Sequence, residues 1–305
     1  MSGARTGGDV AAVVVTYHPE DDCAELLEAL AEQCRWVIVV DNGSTPEELA
    51  SVRVACAAVG ARLIELGRNT GIAAAQNRGI AEAERLGARW VLLSDDDSAP
   101  AEGMVPLLLT AFAAPAGGPV AAVGPLVGEG RGGRDQLVYV ARRWGPRRAT
   151  AEELGSRFLE VAFLIASGCL IDLHALREVG PMNEELFIDH VDLEWGLRAR
   201  RAGYRLLVVP EARMTHSLGD EVVRIPGRRQ PVHMHGPVRN YYLARNTVAL
   251  IRSGLLPVAW RIGYAVWITK YSAFNALAAD RRGLRARALA QGLRDGLLGR
   301  TGPRP

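Results

Sequence analysis

Lysine is almost missing from this 305-residue chain: Lys270 is the only one, and arginine carries nearly all of the positive charge. The formal net charge is only +2, so the chain as a whole makes no case for nucleic acid as its main partner. Cysteine is sparse too. Cys23, Cys34, Cys56 and Cys169 form no CxxC pair, and no secretory leader precedes the first apolar run. A reduced, cytosolic setting is therefore expected. No apolar run approaches the about 20 residues needed to cross a bilayer, and no internal repeat is present. What remains is an ordinary globular balance, 49% hydrophobic and 23% charged, long enough for one large α/β domain with an extension.

The first hundred residues alternate two patterns. Val10 to Tyr17 is a β-branched run closed by His18-Pro19 and reads as a buried strand. Asp21 and Asp22 then suit the cap and first turn of a helix reaching Ala31. Trp36 to Val40 is a second strand, ending at Asp41-Asn42-Gly43-Ser44, and Pro46 opens a helix to about Val59. Arg62 to Leu66 is a third strand, followed by Gly67-Arg68-Asn69-Thr70-Gly71 and a helix from Ile72 to Arg85. A fourth apolar strand ends in Asp95-Asp96-Asp97-Ser98. Continuous apolar strands joined through helices predict a mostly parallel, Rossmann-like sheet with helices on both faces. Ligands of such sheets sit beyond the carboxyl ends of the strands. Thr16 and Tyr17, Asp41, Asn69 and Gly71, and Asp95 to Asp97 all fall there.

Three successive carboxylates at the end of a buried strand are costly without a counter-charge. Read alone, Asp95–Asp97 is equally a solvated turn before Pro100 or a site for a divalent cation shared with a substrate's phosphates. Further on, a helix is expected over Met104 to Phe112 and a strand over Pro119 to Pro125, with loop over 128–157. An apolar stretch, Val161 to Leu173, then backs the site. A second acidic patch, Asp189, Asp192 and Glu194, opens a helix ending near Gly203, and a last strand from Leu206 leads to His216. Asp189 suits a helix cap and Glu194 an i,i+4 partner for Arg198; either, like Asp192, is also a candidate base. His216 is a lone imidazole that could add a third metal ligand.

Taken together, Val13–Tyr17, Val39–Ser44, Asn69–Gly79 and Asp95–Ser98 resemble the family 2 glycosyltransferases of GT-A fold, over roughly residues 10–220. Phe187 to Arg200, with Gly203-Tyr204 and Arg239-Asn240-Tyr241-Tyr242, is similar to the bacterial rhamnosyltransferases that use dTDP-rhamnose to build O-antigen and other cell-surface glycans. The resemblance implies that Thr16, Tyr17 and Asp41 line the base and ribose pocket, and that Asn69, Gly71 and Asn77 shape the nucleotide site. Asp95 and Asp97 would form the DxD motif, with Asp97 and His216 on a Mg²⁺ or Mn²⁺ ion, and Asp192 would be the base. Glu194 would hold the acceptor or orient that base. Two departures stand out: Val191 precedes Asp192 where the family often has Glu-Asp, which keeps Asp189 as a second base candidate, and Asp96 stands where the subgroup is often neutral.

The expectation is thus an inverting, metal-dependent transferase with a domain over 1–235, its nucleotide half about 10–100 and its acceptor half about 101–235. Partners are a nucleotide-sugar donor and a glycan or lipid-linked acceptor, with self-association left open. The alternatives are transfer of galactofuranose or another hexose from a UDP-sugar, and a non-catalytic nucleotide-sugar-binding scaffold. A dinucleotide oxidoreductase is disfavoured because no Gly-rich turn follows the first strand. Residues 236–305 form a helical extension, amphipathic over Leu255–Leu277, which either packs on the main domain or touches the cytoplasmic face of the inner membrane.

Overall fold

The computed structural model describes residues 8–19, 23–113, 117–129, 137–216, 221–223, 232–277 and 279–304. The chain divides into two compact units, one of residues 1–141, 146–184 and 192–217, the other of 142–145, 185–191 and 218–305.

The first unit is built on strands β1 (Val10–Thr16), β2 (Trp36–Asp41), β3 (Arg62–Glu65) and β4 (Trp90–Asp95), alternating with helices α1 (Ala24–Gln33), α2 (Pro46–Val59) and α3 (Ile72–Arg85). After β4 come β5 (Ser98–Pro100), α4 (Met104–Thr110), β6 (Val120–Glu129), a two-stranded ribbon of β7 (Tyr139–Arg142) and β8 (Gly145–Arg148), β9 (Leu159–Glu160) and β10 (Cys169–Asp172). Helices α5 (Leu173–Val179) and α6 (Val191–Arg201) and strand β11 (Arg205–His216) complete it. The sheet runs β3-β2-β1-β4-β10-β6-β11-β5, with β9 paired to β11. The pairs among β1 to β4 and between β6 and β11 are parallel; β10 and β5 pair antiparallel.

Period-two alternation explains the layering. Val10, Ala12 and Val14 of β1 face a core made with Leu26, Leu27 and Leu30 of α1, Val52 of α2 and Leu108 of α4. Val13 faces the other side, towards α3. A Cβ at Gly79 would lie 2.2 Å from its Cγ1, so the glycine lets that helix settle onto the sheet. Helix α2 starts on a capping box, Thr45 with Glu48, and closes at Gly60 in the left-handed region.

Pro100 falls in β5, an edge strand, where a missing N–H is tolerated. One sequence expectation needs amendment. The expected loop over 128–157 contains β7 and β8, whose Arg- and Gly-rich sequences hide any alternation. Asp21 and Asp22, expected to cap α1, lie outside the described residues.

The second unit holds α7 (Pro237–Arg252), α8 (Val258–Leu277) and α9 (Arg282–Leu297), with a short ribbon of β12 (Glu221–Val223) and β13 (Val232–Met234). Helices α7 and α9 touch backbone to backbone: a Cβ at Gly292 would meet the Tyr241 carbonyl oxygen at 2.3 Å, and one at Gly296 the Arg245 carbonyl oxygen at 2.8 Å. Between them the buried Asp295 accepts from Tyr241 Oη at 3.0 Å, Arg300 Nη1 at 3.1 Å and Arg294 Nε at 3.2 Å. Burial pushes the Asp295 carboxyl up, but these donors outweigh it and leave the pKa lowered.

Candidate active site

The parallel register aligns the strand ends. Thr16 sits beside Asp41, and Val15 beside Asp95. Asp41 is 1% exposed, and its carboxylate is fully engaged. Oδ2 accepts from Thr16 Oγ1 at 3.1 Å and Ser44 Oγ at 2.5 Å; Oδ1 accepts from the Gly43 and Ser44 amides, both at 3.1 Å. Gly43 turns the chain at φ +97°, and a Cβ there would stand 2.5 Å from the Arg68 carbonyl carbon. Asn42 bridges to the next strand end, its Oδ1 accepting from the Thr70 amide at 2.8 Å and its Nδ2 donating to Asn69 Oδ1 at 3.2 Å. Asn69 Oδ1 also accepts from the Gly71 amide at 2.9 Å. Thr16, Asp41, Asn69 and Gly71 are therefore one connected rim, while Tyr17 projects from it, 46% exposed.

The acidic turn joins this rim. Asp96 Oδ2 accepts from the Tyr17 amide at 3.3 Å. Asp95 Oδ2 accepts from Ser167 Oγ at 2.5 Å, so the Ala166–Gly168 turn braces the end of β4. Asp97 is exposed and Asp96 half-buried. Burial, reinforced by the charges of Asp97 and Asp95, pushes the Asp96 carboxyl up to about 6, against the pull of the Tyr17 amide. Asp96 does not simply face solvent. Crowded carboxylates of which one is driven towards its neutral form are a donor set that fits a hard divalent cation. Among the described residues no three acidic, histidine or cysteine side chains close on one point. The side chain of His216 lies outside the described residues; its backbone pairs with Ser98, the residue after Asp97.

The second acidic patch separates into three environments. Asp192 lies in the first turn of α6, its Oδ1 accepting from the Leu193 amide at 2.7 Å. It shares a cavity of about 20 Å³, one water in size, with Leu93 of β4, Gln76, Cys169 and Trp195. Glu194 turns away and pairs with Arg198, Nε to Oε1 at 2.9 Å, the i,i+4 arrangement its spacing allowed. Arg198 in turn donates to the carbonyls of Val179 and Pro181, both at 2.7 Å. Glu194 thus braces the turn before α6 through Arg198. Asp189 belongs to the other unit, where Arg239 Nη2 donates to its Oδ1 at 2.7 Å. Asn77 clamps the Met182 backbone, Oδ1 accepting at 2.9 Å and Nδ2 donating at 3.0 Å, and Nδ2 also donates to Glu184. Ser167 was missed as a site residue; the small Ala166-Ser167-Gly168 turn was its only sequence signal.

A mostly parallel sheet whose first four strands bring a connected polar rim and an acidic turn to one edge is that of a glycosyltransferase of GT-A fold. The glycosyl transferase family 2 model matches residues 11–180, and the chain belongs to that family. It is 33% identical over 267 residues to the dTDP-rhamnosyl transferase RfbF of Shigella flexneri, covering 85% of each chain. It is 29% identical over 280 residues to the galactofuranosyltransferase GlfT1 of Mycobacterium tuberculosis, covering 86% of this chain and 90% of that one. In fold it is similar to GalNAc-T7 solved with UDP, GalNAc and Mn²⁺, at a TM-score of 0.61 and 15% identity; the match covers 92% of this chain but only 55% of that longer one.

Proposed function

We propose that the protein is an inverting transferase that moves L-rhamnose from dTDP-rhamnose to a hydroxyl of a cell-surface glycan or glycolipid, working at the cytoplasmic side of the membrane. The observation that carries this reading is the alignment of Thr16, Asp41 and Asp95 at one sheet edge, in a chain 33% identical to a dTDP-rhamnosyl transferase. Thr16, Tyr17 and Asp41 line the base and ribose pocket, with Asn69, Gly71 and Asn77 keeping the loops behind them in shape. Asp95 and Asp97 would hold a Mg²⁺ or Mn²⁺ ion, with Asp96 adding charge. When bound, that ion supplies the charge that stabilises a departing diphosphate.

We assign the base to Asp192, which lies in the first turn of α6 and lines the same cavity as Leu93 of β4. Its carboxylate takes the proton of the acceptor hydroxyl. The oxygen forms its bond to the anomeric carbon from the face opposite the nucleotide as the carbon–oxygen bond to the diphosphate breaks, releasing dTDP and inverting the centre. GlfT1 supports the second reading, galactofuranosyl transfer from a UDP-sugar, since no residue described here selects one base or sugar over another.

A thermal-shift panel separates the two. The largest Mn²⁺-dependent stabilisation is expected from dTDP-rhamnose. A larger shift with UDP-galactofuranose would move the assignment to the second reading, and a shift with NAD alone would overturn both.

A further inference from the structure

Helix α8 is apolar nearly all the way round, yet only one side of it is packed. Trp260, Ile268, Tyr271 and Asn275 are buried within the second unit. On the opposite side Val258, Ile262, Val266 and Leu277 are 69%, 50%, 48% and 77% exposed. At 100° per residue these four fall within one stripe about 100° wide, running most of the 20-residue helix. No acidic residue occurs anywhere in α8, and its two charged residues are Arg261 and Lys270, both exposed. A surface helix normally turns its polar side outward; this one does the reverse.

The charge around it has one sign. Residues 236–305 carry twelve basic residues against two acidic ones, Asp280 and Asp295, and Asp295 is fully buried. The rest of the chain is correspondingly acidic, with 24 basic residues against 32 acidic. A self-associating copy would bring two strongly positive faces together. An anionic bilayer surface instead accepts an apolar stripe into its interface and basic residues at its headgroups. No helix among the described residues is long and apolar enough to cross a membrane, so the mode is in-plane contact.

We propose that the outward stripe of α8 is a docking face for an anionic lipid surface, with Ile262 and Val266 inserted among the acyl chains and Arg261 and Lys270 at the headgroups. The proposal rests on the reading of a glycolipid- or glycan-directed transferase and adds the surface and lipid class that bring enzyme to acceptor. It is tested on the full chain by flotation with vesicles of phosphatidylcholine alone and of phosphatidylcholine mixed with phosphatidylglycerol, beside an I262D/V266D double variant. Both positions are solvent-exposed, so the fold tolerates the change; far-UV dichroism and the Mn²⁺–dTDP thermal shift verify that.

The wild type should float only with the anionic vesicles and be released by added salt, and the variant should lose at least about tenfold in partitioning. Equal flotation of variant and wild type overturns the proposal. So does a wild type that ignores anionic vesicles, and a wild-type dimer abolished in the variant would then make a second copy the occupant. Vesicle binding without any nucleotide shift would leave this proposal standing and overturn the donor reading instead.

Discussion

Two turns in this chain bend through the left-handed region beside a carboxylate, and they are held by opposite means. At Asp41–Ser44 the positive φ falls on Gly43, and the donors to the Asp41 carboxylate come from the ends of β1 and β2. At Phe187–His190 it falls on three side-chain-bearing residues, Phe187 at +64°, Asp189 at +63° and His190 at +64°. Each costs on the order of 1–2 kcal/mol over an ordinary backbone, so something must over-determine the loop. That something is α7, some 55 residues on. Asn246 Nδ2 donates to the carbonyls of Leu186, Ile188 and Asp189 at 3.0, 2.7 and 2.9 Å, and Arg245 Nη2 to that of Leu186 at 2.7 Å. Phe187 stacks on Tyr242, and His190 Nε2 meets Thr247 Oγ1 at 2.9 Å. The Asp41 turn is thus wired locally, while the 187–190 turn is wired by a helix distant in sequence.

That contrast is broken most severely at Asp192. Asp192→Asn should lower the rate of transfer by about a thousandfold or more while leaving nucleotide binding intact, because the rim does not depend on it. Single-turnover kinetics beside dTDP calorimetry measure both, and near-normal turnover would remove Asp192 as the base. Next comes Asn246→Ala, which strands three carbonyls around an amide that is fully buried. A loss of about 3 kcal/mol is expected in urea unfolding, with kcat falling and dTDP affinity unchanged. A variant that weakens dTDP binding as much as turnover would erase the distinction between the two turns.

The smallest effect is a pH dependence at His190. Burial lowers its pKa below 6.5, with Asp189 pulling it up and His235 pushing it further down. The unfolded histidine takes a proton that the folded one resists. Its contribution to stability is therefore complete above about pH 6.5 and is lost as pH falls below that value, by at most about 1.4 kcal/mol per pH unit. His190→Gln should flatten that part of the stability profile; an unaltered slope would show that His190 is not the group titrating.

The same contrast explains what was legible. Elements built on short-range signals are legible nearly to the residue: α2 from Pro46 to about Val59, α3 from about Ile72 to Arg85, and the strand ends at Asp41 and Asp95. The acidic turn was ambiguous by itself because a solvated turn has the same composition, and only the three neighbouring strand ends gave it meaning. The 185–191 loop was misjudged as part of a single acidic patch. Its conformation is fixed by Asn246 and Arg239, and no local pattern announces partners that distant. Glu194 was ambiguous for the converse reason: its i,i+4 arginine was visible, but not that Arg198 was needed to hold the Val179–Pro181 carbonyls. In α9, Gly292 and Gly296 are the points where α7 comes close, a partner that no local pattern identifies.

The central claim, that the acidic turn grips the donor's diphosphate through a divalent cation, is tested most directly by calorimetric titration of dTDP into wild type and Asp97→Ala, each with and without Mn²⁺. Wild type should bind tightly only with Mn²⁺, and the variant should bind weakly and equally in both conditions. Mn²⁺-dependent binding of unchanged affinity in the variant would contradict it.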